Sequence, residues 1–203
     1  MLTQLAKAKA SPRPAVDPTA HQAVAEKVIR LLGPHCRKIL LINPLPFAVG
    51  HFSATQAKNR RYYAWPPYGI GVLCRMLRGR GYEVKLVDHN YDLLSFAHRE
   101  PDPQVIEAQV DGLWRRKTDE AIAEFQPDLV GLTCMFTMTH PMMVEVAKHV
   151  KAAHPTLPII AGGVHVSNAP EFVLQAAAAI DFASLFEGDV SFGDMLDIAA
   201  GKL

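Results

Sequence analysis

The chain has 203 residues, of which 49% are hydrophobic and 20% are charged, a balance typical of a globular protein. Its formal net charge of +1 gives no sign of the basic face that phosphate binders carry, so we predict no nucleic-acid partner. No apolar run approaches the roughly 20 residues that span a membrane, and residues 1–18 lack the apolar core of a secretion signal. We therefore predict a cytoplasmic protein with no membrane partner.

The N-terminal part of the chain differs from the rest. Residues 1–18 are rich in Ala, Lys and Pro and indicate a flexible leader, and residues 19–32 have apolar residues at helical spacing. Gly33 and Pro34 end that helix. We predict a leader with one short helix over residues 1–36 and one larger domain over residues 37–203.

From residue 37 onward, short apolar runs of strand length alternate with segments of helical periodicity. The predicted strands cover residues 37–43, 82–88, 128–136, 157–163 and 180–186. The predicted helices cover residues 67–81, 103–125, 140–153, 171–179 and 191–201. We expect a break near Gly112, Pro141 in the first turn of its helix, and Ser191 as the N-cap of the last helix.

This alternation predicts an α/β protein built from βαβ units. Such units form a parallel sheet with right-handed crossovers and helices on both faces. Five strands suit a Rossmann-like (flavodoxin-like) three-layer sandwich with the strand order 2-1-3-4-5. In this architecture ligands bind outside the carboxyl ends of the strands, near the point where the strand order reverses.

The unusual stretches of the sequence all fall at that edge. Residues 43–69 form a loop of about 25 residues, where βα connections usually have roughly 2 to 6. Small or polar residues follow three neighbouring strands: Thr133, Cys134, Thr137 and Thr139; Gly162 and Gly163; and Glu187, Gly188 and Asp189. Together they predict a floor on which a large flat ligand lies.

The sequence lacks the motifs by which proteins of this architecture bind several common ligands. The first strand is followed by neither G-x-G-x-x-G nor a Walker A loop, which disfavours a nucleotide-binding enzyme. Thr133 and Cys134 stand where a receiver domain has its phosphoacceptor Asp. Asp88 ends the second strand, where it either hydrogen-bonds a ribose or is an exposed turn residue.

Four segments in order resemble the N-terminal cobalamin-binding domain of cobalamin-dependent radical S-adenosylmethionine enzymes, over residues 38–203. They are WPPYGIGVLCRMLRGRGYEVKLVD, PDLVGLTCMF, AGGVHVSNAPE and LFEGDVSFGDMLDIAAGK. The family has a PPLGL-type segment, D-x-V-G-[IL]-[ST], GG-x-H-x-[ST]-x-x-P-E and GEGE-x-x-F-x-x-L-L at these places. In the last of these, Phe186 replaces the first Gly and Asp189 the second Glu.

The resemblance implies a domain that binds cobalamin. Thr133 matches a Ser whose hydroxyl can hydrogen-bond the nucleotide tail of the cofactor, and Gly162 and Gly163 match a double Gly where a Cβ would clash with that tail. The implied cofactor-binding residues are Gly131, Thr133, Cys134, Gly162, Gly163, Val164, His165, Glu187, Gly188 and Asp189.

The cobalt-binding motif of classical cobalamin domains, D-x-H-x-x-G, is missing. His51 lies in the corresponding loop without the Asp and Gly around it, so we predict no metal ligand in this chain and do not favour His51 as a cobalt ligand. The related radical enzymes commonly lack this motif. For His165 we favour a hydrogen bond to the backbone or to a corrin amide over a bond to cobalt.

Other residues have competing interpretations. We expect His89, His140 and His154 at the surface. Glu187 and Asp189 are either an acid–base pair or, as is more usual, a solvated turn. Met135, Met138, Met142 and Met143 are expected to pack in the core or to line an apolar corrin face. A basic and aromatic patch, a candidate contact for another domain, consists of Arg60, Arg61, Tyr62, Tyr63 and Trp65.

The three cysteines, Cys36, Cys74 and Cys134, have no CxxC spacing and predict neither disulfides nor a self-contained metal site. The chemistry of the resembled family needs a [4Fe–4S] cluster on a CxxxCxxC loop, together with S-adenosylmethionine. We expect neither to be bound by this chain, and we expect the chain alone not to be catalytic. It is interpreted as an excised domain or a stand-alone module, with a radical S-adenosylmethionine domain as its partner in cis or in trans.

Two functions stay open at this point. The first is a cobalamin-binding domain that positions the corrin in a methyltransferase or cyclase-type radical enzyme. The second is a module of the same fold that has lost cobalamin and recognises a substrate or a protein. Residues 43–69 discriminate between them, because this loop either caps a corrin or fills its place.

Overall fold

The computed structural model of the chain describes residues 18–202. The strands are β1 (Lys38–Asn43), β2 (Glu83–Asp88), β3 (Leu129–Thr133), β4 (Ile159–Gly162) and β5 (Phe182–Ser184). The helices are α1 (Pro18–Leu32), α2 (Ala54–Lys58), α3 (Tyr68–Gly79), α4 (His89–Arg99), α5 (Pro103–Phe125), α6 (His140–Ala153), α7 (Val164–Asn168), α8 (Pro170–Ala176) and α9 (Gly188–Ala199). Short 3-10 turns lie at Val49–His51 and Thr137–Thr139.

The five strands form one parallel sheet in the order β2-β1-β3-β4-β5. This confirms the predicted fold class and strand order. The strand order reverses between β1 and β3, which begin the two halves of the sheet. At the carboxyl ends, Thr133 pairs in register with Gly162, and Gly162 pairs with Ser184.

The sheet separates two layers of buried apolar side chains, because successive strand residues point to opposite faces. We call the two sides the α3–α9 face, which carries Leu41 and Ile160, and the α4–α6 face, which carries Leu40 and Val130. Helices α1, α3 and α9 contribute to the core on the first face, and α2, α4, α5, α6 and α8 on the second. The sandwich is therefore three layers deep.

Helix α5 is continuous through Gly112, so the break predicted there is wrong. Asp102 caps its first turn and Pro103 occupies its first position, where the missing N–H costs nothing. Val110 before Gly112, and Leu113 and Trp114 after it, are buried in the core. Tertiary packing on both sides holds the helix across an exposed glycine whose intrinsic cost is about 1 kcal/mol.

Three helices have no counterpart in the sequence prediction. Helix α2 and the 3-10 turn Val49–His51 lie inside the long loop after β1, so residues 43–69 are partly ordered into helix. Helix α4 begins directly after β2, and Asp88 caps it by accepting the backbone N–H groups of Asn90 and Tyr91. Helix α7 follows the double glycine. Helices α2 and α7 have only 5 residues each, and the cap of α4, Asp88, is also the last residue of β2, so no turn separates the strand from the helix.

Helix α9 begins at Gly188, three residues before the predicted start. Glu187 is its N-cap residue, and the backbone N–H groups of Val190 and Ser191 donate to the Glu187 carbonyl. The prediction of Ser191 as N-cap is therefore wrong. Gly188 and Asp189 belong to the first turn of a helix, where an acidic side chain is favourable.

The N-terminal helix packs against the domain. Val28 and Leu32 of α1 are buried in the core of the α3–α9 face, and Lys27 Nζ donates to the carbonyl of Asp181 at 2.6 Å. The predicted leader over residues 1–17 lies outside the described residues. No helix within residues 18–202 is long and apolar enough to cross a membrane.

Candidate functional site at the carboxyl edge of the sheet

Three small or hydroxyl-bearing residues lie side by side at the carboxyl edge, on the α3–α9 face. They are Thr133, Gly162 and Ser184, the last residues of β3, β4 and β5, and we call them the edge row. Thr133 and Gly162 are half-buried, although β3 and β4 are internal strands. The Thr133 hydroxyl has no hydrogen-bond partner within residues 18–202. The row is thus a partly open strip with unused hydrogen-bonding capacity.

The two glycines of the double-Gly turn differ in whether the fold has room for a side chain at their positions. Gly163 has φ +111°, and a Cβ there would lie 2.6 Å from the carbonyl oxygen of Cys134. The fold alone therefore requires Gly163. At Gly162 the atom nearest to an added methyl would be Ser184 Cβ at 3.6 Å, an ordinary contact. Packing within the chain therefore leaves room for a side chain at Gly162.

Gly131 lies in the middle of β3, two residues before the edge. A Cβ there would approach Leu41 Cδ2 to 2.6 Å and Phe192 Cε1 to 3.8 Å. Its lack of a side chain leaves room for the Leu41 side chain of the neighbouring strand β1. Packing accounts for this glycine, and its contact with a cofactor stays a prediction.

A hydroxyl pair joins the edge row to the start of α9. Ser184 Oγ and Ser191 Oγ are 2.7 Å apart, and Ser191 Oγ donates to the Glu187 carbonyl at 3.3 Å. Either hydroxyl can donate in the 2.7 Å bond, so the two serines form one local hydrogen-bonded pair at the edge. The Glu187 and Asp189 side chains are exposed, so these two carboxylates form the solvated turn of a helix start.

Cys134 and His165 are buried on the opposite side of the edge row. Cys134 belongs to the core of the α4–α6 face, its Sγ lies 3.4 Å from the Phe136 carbonyl, and burial raises the pKa of its thiol to about 12. Val164 is exposed beside them. The structure therefore brings only Thr133 and Gly162, of the predicted residues, into one open row.

His165 is part of a chain of hydrogen bonds. Its Nδ1 is 3.2 Å from Thr137 Oγ1, and its Nε2 is 3.2 Å from Nδ1 of His140. The His140 ring stacks on Phe172 of α8. His140 is buried rather than at the surface, because α8 covers it, and burial and then His165 lower its pKa. The hydrogen bonds of His165 thus go to side chains of this chain.

His89 is also buried, contrary to the prediction of a surface position. It is the first residue of α4 and its Nε2 lies 3.0 Å from Thr118 Oγ1. Asp88, for which the sequence leaves a ribose ligand and an exposed turn residue open, accepts from Asn43 Nδ2 and caps α4. His154 is exposed, as predicted. Internal hydrogen bonds thus occupy Asp88 and one ring nitrogen of His89 at the β2 end of the edge, while the buried atoms His89 Nδ1 and Asn90 Oδ1 have no partner within residues 18–202.

The long loop after β1 packs mainly on the α4–α6 face. Phe47, Phe52 and Tyr62 stack on one another at centroid distances of 5.3 to 5.7 Å and join the core there. His51 is exposed, and its carbonyl accepts from the Tyr62 hydroxyl. Trp65 extends into solvent farther along the loop.

Exposed apolar side chains surround the edge row. They follow all three strands of this half of the sheet: Met135, Phe136 and Met138 after β3, Val164 after β4, and Phe186 and Val190 after β5. Met142 and Met143, by contrast, are buried in α6. An exposed apolar rim around a polar strip is typical of a binding site for a large ligand.

The sequence prediction missed Ser184, Ser167 and the partnership of His140 with His165. For Ser184 a signal existed, because alternation along β5 places it on the same face as Phe182. No sequence signal joins His140 to His165, which belong to two different helices, α6 and α7. Within residues 18–202, no three His, Cys, Asp or Glu side chains are grouped as metal ligands.

Comparison with known proteins points to one family. A family model described as the B12 binding domain matches residues 57–196. The chain is 28% identical over 132 residues to an uncharacterized methyltransferase of Pyrococcus horikoshii, covering 65% of this chain and 24% of that protein. It is 27% identical over 160 residues to the cytidylyl-2-hydroxyethylphosphonate methyltransferase of Streptomyces wedmorensis, covering 77% and 27%.

A third relative is the cobalamin-dependent radical SAM methyltransferase TokK of Streptomyces tokunonensis, with 31% identity over 71 residues, which cover 35% of this chain and 10% of TokK. Among solved structures, a cobalamin-binding protein from Desulfitobacterium hafniense has a TM-score of 0.46 at 18% identity, covering 84% of this chain and 60% of that one. The chain spans about a quarter of the length of the first two relatives, and less of the third.

Proposed function

Because the chain belongs to the B12 binding domain family, we propose that it holds cobalamin at the edge row and serves a radical S-adenosylmethionine methyltransferase. The catalytic domain of that enzyme would act in cis or in trans, and it would carry the [4Fe–4S] cluster and S-adenosylmethionine. When bound, cobalamin supplies cobalt-centred chemistry for the transfer of a methyl group. The names of the three methyltransferase relatives support this choice over a cyclase.

The observation that carries the proposal is the space at Gly162. A glycine inside a strand weakens it and often marks the close approach of a ligand. Here the chain itself does not require the glycine, since a methyl would make only ordinary contacts with Ser184. The residue is half-buried at the end of an internal strand, beside the unpaired hydroxyl of Thr133. A ligand that lies against β4 accounts for both features.

The groups around Gly162 suit the chemistry of cobalamin. Cobalamin combines apolar flat surfaces with many amide and hydroxyl groups. The edge row offers the half-buried hydroxyl of Thr133, whereas that of Ser184 is buried and bonded to Ser191. The surrounding rim offers exposed apolar side chains such as Phe136 and Val164. In our proposal Thr133 hydrogen-bonds the cofactor, Gly162 allows its approach, and the rim excludes water from it.

The alternative of a cobalamin-free module requires the long loop to fill the place of the corrin. The stacked residues Phe47, Phe52 and Tyr62 instead lie in the core of the α4–α6 face, opposite the edge row. The row keeps its half-buried residues Thr133 and Gly162 open. This arrangement favours the cofactor-binding function over the alternative.

Titration with hydroxocobalamin tests the proposal. At about 20 µM chain we expect a change in the visible spectrum and co-elution of one corrin per chain from a sizing column. Replacing Gly162 with Ala should raise the Kd at least about tenfold, because the methyl occupies the space of the ligand. The same change should leave the protein as stable as the wild type or slightly more stable, by about 0.5 kcal/mol.

The matched control is Gly112→Ala, which changes an exposed helical glycine far from the edge. We expect it to raise stability and to leave the Kd unchanged. If the wild-type chain retains no corrin, either alone or joined to a radical S-adenosylmethionine domain, the proposed function is wrong. If Gly162→Ala binds as tightly as wild type, the cofactor does not lie against β4.

A further inference from the structure

Phe186 has an unusual backbone conformation for a large aromatic residue. Its φ is +60°, in the left-handed region that bulky side chains rarely adopt. Within residues 18–202, the other non-glycine residues with positive φ are Arg60 and Gln126. Gln126 is the C-cap of α5, and Arg60 follows α2 in a turn closed by the bond from Arg61 N to Gln56 O. Both therefore end a helix in a common way.

The positive φ of Phe186 does not come from ending a helix, since Phe186 lies between β5 and the N-cap of α9. A glycine would adopt this conformation without strain, and the resembled family has a glycine at this position. Phe186 is 74% exposed, and its ring makes no aromatic contact within the described residues. The chain thus bears the strain of an aromatic residue here without burying its ring.

The backbone of Phe186 is fixed to the double-Gly turn. Its N–H donates to Ser167 Oγ at 2.8 Å, and the Ser167 hydroxyl donates in turn to the Gly163 carbonyl at 3.2 Å. Ser184 of the edge row lies two residues before Phe186. The ring is therefore held at the rim of the edge row, and strained residues that the surrounding structure fixes in this way are concentrated at functional sites.

We propose that the Phe186 ring packs against a flat apolar surface of bound cobalamin, and that Phe186 is therefore a cofactor-binding residue. This inference rests on the proposed function. Cobalamin has two surfaces of this kind, the corrin macrocycle and the benzimidazole base of its tail. An aromatic ring gains contact area with either, and this gain offsets the strain of its backbone.

Replacing Phe186 with Gly separates binding from folding. The change relieves the left-handed strain, so the denaturation midpoint should stay the same or rise. The Kd for hydroxocobalamin should rise about tenfold, because the ring contact is lost. Phe186→Tyr keeps an aromatic ring and should bind as wild type does. Gln126→Gly relieves the same strain away from the edge, and it should raise the midpoint without changing the Kd.

Dicyanocobinamide, which lacks the nucleotide tail, identifies the surface. If Phe186→Gly weakens the binding of both cobalamin and cobinamide, the ring packs on the macrocycle; if it weakens only that of cobalamin, the ring packs on the base. Equal Kd values for wild type and Phe186→Gly would overturn the inference while leaving the proposed function intact. A lower denaturation midpoint in Phe186→Gly would also overturn it, because the ring would then be structural. If the wild-type chain binds no corrinoid, both this inference and the proposed function are wrong.

Discussion

The two edges of the sheet differ in how completely their polar groups are hydrogen-bonded within the chain. At the amino edge, carboxylates satisfy the backbone at the starts of strands. Asp128 accepts the N–H groups of Arg37 and Lys38 at 2.8 Å each, and Asp181 accepts the N–H of Ile159 at 2.8 Å. Charge-assisted bonds of this kind are among the stronger ones in proteins. The amino edge is built for stability.

At the carboxyl edge, the half formed by β3, β4 and β5 is left open. The Thr133 hydroxyl has no partner within residues 18–202, Gly162 has space for a methyl, and large apolar side chains such as Phe136 extend into solvent. Buried or half-buried polar groups usually find partners in a folded protein. Atoms without partners alone do not single out this half, because His89 Nδ1 and Asn90 Oδ1 at the β2 end also have none within residues 18–202. The difference between the two edges teaches that an unpaired hydroxyl combined with open space, as at Thr133 and Gly162, supports the proposed binding edge better than any single motif does.

Surface hollows and side-chain chemistry point to different edges of the sheet. Two open hollows of about 490 and 500 Å³ both lie toward the amino edge, the first beside Cys36 and Asp128 and the second beside Lys151 and Asp181. Burial raises the pKa of Cys36 to about 12, so this residue stays a neutral thiol. We propose the site at the carboxyl edge, because the Thr133 hydroxyl without a partner within residues 18–202 and the space at Gly162 lie there.

The largest expected effect is the loss of stability at low pH that is caused by His89. It tests whether the β2 end of the carboxyl edge serves the fold rather than a ligand. Burial, and then His149, lowers its pKa to about 3. The unfolded state, with a pKa near 6.5, binds a proton that the native state does not, so stability falls as the pH falls from about 6.5 toward 3. Between pH 6.5 and 4 this single group should cost about 3 kcal/mol in the free energy of unfolding.

Urea denaturation at pH 7, 5.5 and 4 measures this effect. His89→Gln serves as the matched variant, since its amide can donate to Thr118 Oγ1 but does not titrate. Its stability should fall less steeply with decreasing pH, by about one proton. A residual dependence belongs in part to His140, whose pKa is lowered too. Parallel pH profiles for the two proteins would mean that His89 is not buried as a neutral ring.

Gly163→Ala should give the next largest effect. The combination of φ +111° and ψ 175° is accessible essentially to glycine alone, and the added Cβ would meet the Cys134 carbonyl. We expect the free energy of unfolding to fall by about 2.5 kcal/mol, measured by urea denaturation. Gly162→Ala is the matched control and should show no loss. Equal losses for the two variants would show that both glycines serve the fold and would remove the contrast between them.

A smaller effect is expected from Asp181→Ala at the amino edge. The change removes the acceptor for the Ile159 N–H and breaks the 2.8 Å ion pair with Lys151. We expect a loss of about 2 kcal/mol in stability and no change in corrinoid affinity. Glu124→Gln, which removes an exposed ion pair with Lys85, should change neither quantity measurably. A weaker corrinoid affinity in Asp181→Ala would contradict the conclusion that the amino edge contributes to stability and not to binding.

The sequence predicted the fold well because its signals are local. Alternating apolar strands and helices specify βαβ units, and the few permitted connections then leave few topologies. The same alternation placed Thr133 and Gly162 at the carboxyl edge. Helix α4 and the start of α9 were missed because Asp88 and Glu187, which precede them, look like turn residues in isolation.

By itself, then, the sequence determined the order of the strands, the edge at which we propose the site, and the family that it resembles. Only the tertiary structure decided which residues at that edge are free. It showed that Gly163 is fixed by the carbonyl of Cys134, that His165 is bonded to Thr137 and His140, and that Phe186 is strained yet exposed. Contacts between residues far apart in sequence fix these properties, and local periodicity does not encode them.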